Sequence, residues 1–279
     1  MANSIARTVS PNRRQASLDN AHGHAASVAR SLGWIALPWL VPVACAVLWV
    51  LGSHYGWISP QILPSPTLVF DTLGGLASTG ELWMHIGASL SRIAVGFTGG
   101  VVLGLLLGAW LGLSRTAEAY ILPSFNAVVQ VPVLGWLPFL MIVVGIGEPL
   151  KYLLIGHAAL VPVTLSTLQG FRRTPPAYLD VARVFRYSRR QTIFSVILPS
   201  AVPVIGTGIR LAFTKAWLTL VVVELVASSE GLGYLIVYGR QLFQLDLVLA
   251  SVLIVGAIGY AADRLLTVLE HKLSPARPA

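Results

Sequence analysis

Charge is what this chain has least of. Asp, Glu, Lys and Arg together make up 11% of its 279 residues, whereas a soluble domain carries roughly 25%. The deficit is filled by apolar side chains, 55% of the total, with a mean hydropathy of +0.75. That composition excludes a water-soluble fold and requires a bilayer. Cysteine is nearly absent too. Cys45 alone excludes an internal disulfide framework and a multi-thiolate metal site. Val43-Ala44-Cys45 is similar to a lipoprotein cleavage box, but the apolar run continues to Leu51, so Cys45 reads as a plain membrane-buried thiol. Lysine is equally scarce. Lys151, Lys215 and Lys272 follow Leu150, Thr214 and His271, and none forms the Gly-Lys-Ser/Thr of a phosphate-cradling loop. The six histidines are scattered, which speaks against a membrane enzyme built on clustered ligands or bases. No internal repeat is visible of the kind that ion-driven secondary transporters use.

What is present is a series of apolar runs broken by proline, glycine and arginine. Residues 1–33 form a polar, basic stretch expected to be a disordered cytoplasmic tail. Trp34–Leu51 is uncharged over about one membrane thickness, since ~20 helical residues cross the hydrocarbon core. The long polar leader favours an uncleaved anchor over a signal peptide. Pro60, Pro64 and Pro66 end that helix. Pro66–Gly80 reads as a short amphipathic surface helix. Further spans are expected at Ile93–Leu113, Ala119–Gly147, Tyr152–Phe171, Pro203–Ala227 and Leu247–Leu269.

The second run carries Gly96, Gly99, Gly100, Gly104, Gly108 and Gly112. Glycines three and four apart share a helix face and permit close helix packing, which is preferred here to a ligand role. The third contains Pro123, Pro132 and Pro138, so neighbours must satisfy its freed carbonyls. Residues 228–246 read as a polar connection, and 271–279 as a second cytoplasmic tail. The predicted fold class is all-α, a polytopic protein of six spans over residues 34–270.

Arginine placement orients these spans. With the amino terminus inside, fourteen of the nineteen basic residues fall on inside segments, including Arg115, Arg264 and six arginines between 172 and 191. The outside keeps Lys151 and Arg240, with Arg92 near a helix end. Cytoplasmic segments are the ones enriched in Lys and Arg, so both termini are expected inside. The net charge of +8 is accounted for by this topology and implies no nucleic acid partner.

The loop 172–191 carries the most information. Pro175-Pro176 and Leu198-Pro199 bound a segment of alternating apolar, acidic and basic residues. It can form a helix along the membrane surface, with Tyr178, Val181, Val184 and Phe185 on one side. Binding of anionic headgroups through its arginines is the bland alternative. Within Thr174–Pro199, Asp180-Val181-Ala182, Arg186, Val196 and Leu198-Pro199 fall on the spacing E-A-A, three residues, G, nine residues, I-x-L-P.

Here the sequence resembles the inner-membrane permeases of binding-protein-dependent ABC importers. The runs Val131 to Pro138, Gly145-Ile146-Gly147-Glu148, Gly208-Ile209-Arg210-Leu211-Ala212 and Gly231-Leu232-Gly233-Tyr234-Leu235 resemble the sulfonate, taurine and nitrate branch. The likeness covers roughly residues 60–270. Aspartate for glutamate shortens the carboxylate, and Val181 replaces alanine. The larger departure is Arg186 for glycine. A left-handed backbone there would cost on the order of 1–2 kcal/mol, which leaves open a turn of different build.

The resemblance implies a type I importer permease fold with no catalytic residues and no cofactor on this chain. ATP and Mg would bind a separate cytoplasmic ATPase, gripped through Tyr178, Asp180, Val181, Ala182, Arg183, Phe185, Arg186, Leu198 and Pro199. A periplasmic or lipid-anchored binding protein would deliver cargo, and a second permease copy would complete a pathway through the bacterial inner membrane. The cargo stays open between a small anion, such as a sulfonate, taurine or nitrate, and a neutral or cationic heterocycle.

Arg210, Lys215 and Glu224 lie within the otherwise apolar fifth span. Charges at bilayer depth cost at least ~2.5–3.5 kcal/mol on insertion scales and are usually functional. Arg210 can snorkel toward the interface, while Lys215 sits too near the centre. These three are candidate pathway residues, with a structural ion pair or hydrogen bond as the alternative for Lys215. His157 in the fourth span reads as a packing residue in preference to a proton relay.

Overall fold

A computed structural model describes residues 40–59 and 61–273. The basic tail expected over 1–33, the start of the first expected span and residues 274–279 lie outside the described residues. The chain divides into two compact units at Pro66. The first contains α1 (Leu40–His54), followed by a loop whose Pro64 carbonyl accepts from the indole of Trp49 in α1 at 2.9 Å. The second is helical throughout, and no strand occurs among the described residues.

The second unit begins with α2 (Pro66–Thr79), the expected short helix. It buries Val69, and its Thr72 hydroxyl donates to Asp246 at 2.6 Å. Gly80, left-handed at φ 85°, turns the chain into α3 (Glu81–Leu113). This helix starts well before the Ile93 expected from hydropathy. Glu81, His85 and Arg92 end the apolar run in sequence, yet the helix continues through them because His85 and Arg92 are buried among polar partners. Ser114 ends α3 with its N–H on the Trp110 carbonyl and starts α4 (Arg115–Val129) by accepting from the Ala117 N–H, a side-chain cap of the usual kind.

After α4 come a 3₁₀ turn at Val133–Trp136 and α5 (Leu137–Val143), and the pair is bent by 83°. Pro132 has no N–H to continue the ladder and pushes Val131 away from helical geometry, so the span breaks there. Pro138 sits in the first turn of α5, where proline is tolerated. The remaining helices are α6 (Glu148–Arg172), α7 (Pro176–Val184), α8 (Arg189–Thr192), α9 (Leu198–Ala227), α10 (Leu232–Gln241) and α11 (Leu245–Leu273). α10 occupies what reads in sequence as a polar connection. It is too short and too mixed to announce itself by hydropathy.

α3, α6, the α8–α9 stretch Arg189–Ala227 and α11 are each long and apolar enough to cross a membrane, and the bent α4–α5 pair makes a fifth. α1 is apolar, shorter within the described residues, and stands where the first span is expected, so the arrangement is compatible with six. α6 is the most enclosed, packed between α3 and α9. Its contact with α3 is made by the glycine face: a Cβ at Gly108 would lie 2.6 Å from both the Thr164 carbonyl and the Thr167 Cβ. Gly96, Gly100, Gly104 and Gly112 face α6 in the same way, whereas Gly99 opens to free space. Lipid tails offer helices no hydrophobic incentive to associate, so close van der Waals packing of this kind carries the stability. Ile93, Ile155, Ala159, Val163, Phe213, Ala216 and Trp217 form the central core of α3, α6 and α9.

Candidate functional site

At one end of this bundle stands α7, the surface helix expected from the loop pattern. Pro176 starts it, in a position where its missing N–H costs nothing. Only Ala182 is buried; Tyr178, Val181, Val184 and Phe185 are exposed, the last two at 79% and 69%. Asp180 and Arg183 pair across the solvent face at 2.7 Å. The helix ends in a Schellman turn: the Tyr187 N–H reaches the Ala182 carbonyl at 2.9 Å and the Arg186 N–H reaches Arg183 at 3.0 Å. Arg186 itself is left-handed, with φ 52°. The turn is therefore built as a glycine would build it, with an arginine bearing the steric cost. Ser188 and Gln191 then form a reciprocal capping box that starts α8.

α8 runs into α9 through a π turn at Ile193–Ile197. Pro199 cannot donate to Ser195, and the widened turn lets the Leu198 N–H bond Ile193 instead. Ser200 adds a side-chain bond to the Val196 carbonyl at 2.5 Å. Leu198 and Pro199 thus mark a helical join between the α7 turn and the longest span, with no loop between them. Between α7 and this join, Tyr178, Ala182, Tyr187, Val196 and Pro199 line a cavity of about 400 Å³. Arg172 and Glu118 pair at the same end of the bundle.

The opposite end holds a charge cluster around the buried Arg92 and Glu224, a pairing that sequence reading missed. Arg92, 1% exposed, uses all five guanidinium donors. Nε and one terminal nitrogen bind Glu148 in a fork at 2.9 and 2.8 Å, and the other terminal nitrogen binds Glu224 at 2.8 Å. Glu230 accepts through both its carbonyl and its carboxylate. Lys151 joins on Glu148 at 2.7 Å. Three successive N–H groups at the start of α10 close the cluster. Gly231 donates to His85 Nδ1, Leu232 to Ser89 Oγ, and Gly233 to Glu224 Oε2, each at 2.9 Å.

Gly231 is at φ 109°, and a Cβ there would strike the Glu224 carboxylate. The Gly-Leu-Gly of the sequence is therefore the part that lets α10 close onto α3 and α9. In sequence Arg92 stood out as a charge near a helix end, Glu148 as the close of the Gly145–Glu148 run and Glu224 as a charge within the fifth span, while Glu230 gave no signal. Their mutual pairing needs the fold.

The three charged residues of the fifth span part company. Glu224 belongs to the buried cluster. Arg210 is half-exposed and pairs with Asp263 of α11 at 2.9 and 3.2 Å, with Glu270 at 3.8 Å. Lys215 is exposed and has neither an ion pair nor a hydrogen bond among the described residues. It lines a cavity of about 340 Å³ with His157 and the Val131–Val133 break in the third span. No group of three or more His, Cys, Asp or Glu suited to a metal occurs among the described residues.

Comparison with known proteins gives these features a family. Residues 100–275 match the model for "Binding-protein-dependent transport system inner membrane component". The chain belongs to this family. It is 38% identical to the "Putative aliphatic sulfonates transport permease protein SsuC" of Bacillus subtilis over 84% of this chain and 85% of that one. It is 35% identical to the taurine transport system permease protein TauC of Escherichia coli, covering 78% and 81%. Against the nitrate import permease protein NrtB of Synechocystis the figures are 32%, 84% and 88%. Among solved structures, the MetNI methionine ABC transporter in an inward-facing conformation aligns with a TM-score of 0.51 at 19% identity, over 67% of this chain and 95% of that one. That likeness establishes the type I importer permease fold. As a member of the binding-protein-dependent family the chain is a membrane-embedded translocation subunit of an ABC importer and not an enzyme.

Proposed function

We propose that this permease moves a small anionic nutrient of the sulfonate, taurine or nitrate kind inward across the bacterial cytoplasmic membrane, driven by ATP hydrolysis on a separate subunit gripped at α7. The single observation that carries the coupling is the unpartnered apolar side of α7. Tyr178, Val181, Val184 and Phe185 stand exposed on a helix with both ends fixed. A free amphipathic helix at the membrane surface could serve lipid, but its exposed aromatics suit insertion into a protein groove. Asp180, Arg183 and Arg186 supply the polar rim, and Ala182 with Leu198 and Pro199 ties the handle to α9.

Motion of the handle then passes to the spans as rigid-body displacement, because capping box, π turn and α9 form one helical path. ATP and Mg belong to the partner ATPase in this reading. A periplasmic or lipid-anchored binding protein delivers cargo at the end bearing the Arg92 cluster, and a second copy of the chain completes the pathway. The cargo class is supported by the names of the relatives, whose substrates are small oxyanions or sulfonates. The test is photocross-linking from position 184, where the side chain is 79% exposed, in energised vesicles. Capture of a nucleotide-hydrolysing subunit is expected, and its loss in Phe185→Asp with it. Capture of lipid alone would overturn the coupling role.

A further inference from the structure

We propose that the cavity bounded by the break in the third span, α6 and α9 is a binding station for a small oxyanion, with Lys215 as its cation and His157 as a second donor. The identity of the anion rests on the importer reading; the site itself rests on four observations.

The first is depth. Lys215 lies twelve residues before Ala227 at the end of α9, about 18 Å along the axis. Its side chain cannot reach an interface from there. The second is isolation. Arg92, Lys151 and Arg210 each hold a carboxylate, whereas Lys215 has none among the described residues. An ammonium at this depth faces water or an anion, because facing lipid is the costly alternative.

The third is the wall opposite. Pro132 and its neighbours carry irregular backbone at membrane depth, which is tolerated where it lines a water-filled cavity or is buried in protein. The fourth is the sign of the lining. No Asp or Glu contributes to it, while His157 offers an N–H in either neutral tautomer. His157 also lines an adjoining cavity with Trp136, whose indole N–H is buried without a partner among the described residues. The Lys215 ammonium and the His157 ring thus share a cavity without a carboxylate, and the unpartnered Trp136 N–H lines the adjoining one. At about 340 Å³ the cavity has room for a sulfonate-sized anion with part of its water shell. A cation or neutral heterocycle would leave Lys215 without a counter-charge.

The experiment uses the full chain in membrane vesicles, with Cys45→Ser removing its one native thiol and Leu218→Cys placing a reporter on the cavity wall, where Leu218 is 62% exposed. Two water-borne thiol reagents of similar size are compared, sulfonatoethyl methanethiosulfonate and its trimethylammonium counterpart. Each rate is divided by that with a free small thiol. The sulfonate is expected to be favoured by at least roughly tenfold, which one unit charge several ångströms away gives even when water screens it fully. Lys215→Met should remove the preference and Lys215→Arg should keep it. Free ethanesulfonate should slow labelling only when a cation is at position 215.

Failure of either reagent to reach the thiol would mean that lipid or a second copy covers this face, and would overturn the proposal. So would a preference unmoved by Lys215→Met, or a preference without protection by ethanesulfonate. None of these readings depends on ATPase capture, so failure of the coupling role and failure of the station are separately visible.

Discussion

At the level of single residues, Arg186 occupies a left-handed turn position where the loop pattern has glycine. A side chain at φ 52° brings Cβ against the neighbouring carbonyl, a cost that glycine avoids. Arg186→Gly is expected to stabilise the α7 turn by about 1 kcal/mol, less the added chain entropy of glycine in the unfolded state. A rise in the thermal midpoint of the detergent-solubilised protein, with slower amide exchange over 182–187, would be the sign. Arg92 was legible only as a charge near a helix end, because its partners come from three other elements. With Glu224 fully buried beside it, Arg92→Met would leave an uncompensated carboxylate, a loss of about 3–5 kcal/mol. By contrast Arg183→Ala breaks an exposed pair with Asp180 and should change stability little. Thermal unfolding of the two variants side by side checks the difference, and equal midpoints would refute it.

At the level of elements, hydropathy found the spans and misplaced their ends. α3 and α9 both extend beyond their apolar windows, α3 through Arg92 and α9 through the Leu198–Pro199 join. Polar residues inside the bundle cancel one another's cost by pairing, and no single-residue scale contains that cancellation. α10 was hidden for the related reason that its start is held by Ser89 and Glu224 of other helices. The glycine face of α3 was readable because period and residue size together determine it. Gly108→Val tests the packing. The added methyls would meet Thr164 and Thr167, so a loss of about 1–3 kcal/mol is expected, whereas the same change at Gly99, which faces open space, should be tolerated. Folded yield and thermal midpoint of the two valine variants distinguish the cases.

At the level of the whole molecule, the two ends of the bundle differ in kind. One carries α7 and its arginines. The other carries a charge cluster in which Glu148, Glu224 and Glu230 outnumber Arg92 and Lys151. Bilayers read such asymmetry during insertion, retaining positive segments on the cytoplasmic side, so the arginine count of 172–191 predicts the orientation of every span at once. One membrane-length stretch, Arg189–Ala227, separates Val184 from Phe243, which are 79% and 90% exposed at opposite ends. In a Cys45→Ser background, Val184→Cys should react with an impermeant thiol reagent only in inside-out vesicles, and Phe243→Cys only in right-side-out ones. Reaction of both from one side would mean that α9 does not cross. Reaction in the reverse pattern would mean that the arginines lie outside, beyond the reach of any cytoplasmic ATPase. The physical basis of the coupling is thus open to a measurement that needs no partner subunit, since a handle can be pulled only from the side on which it lies.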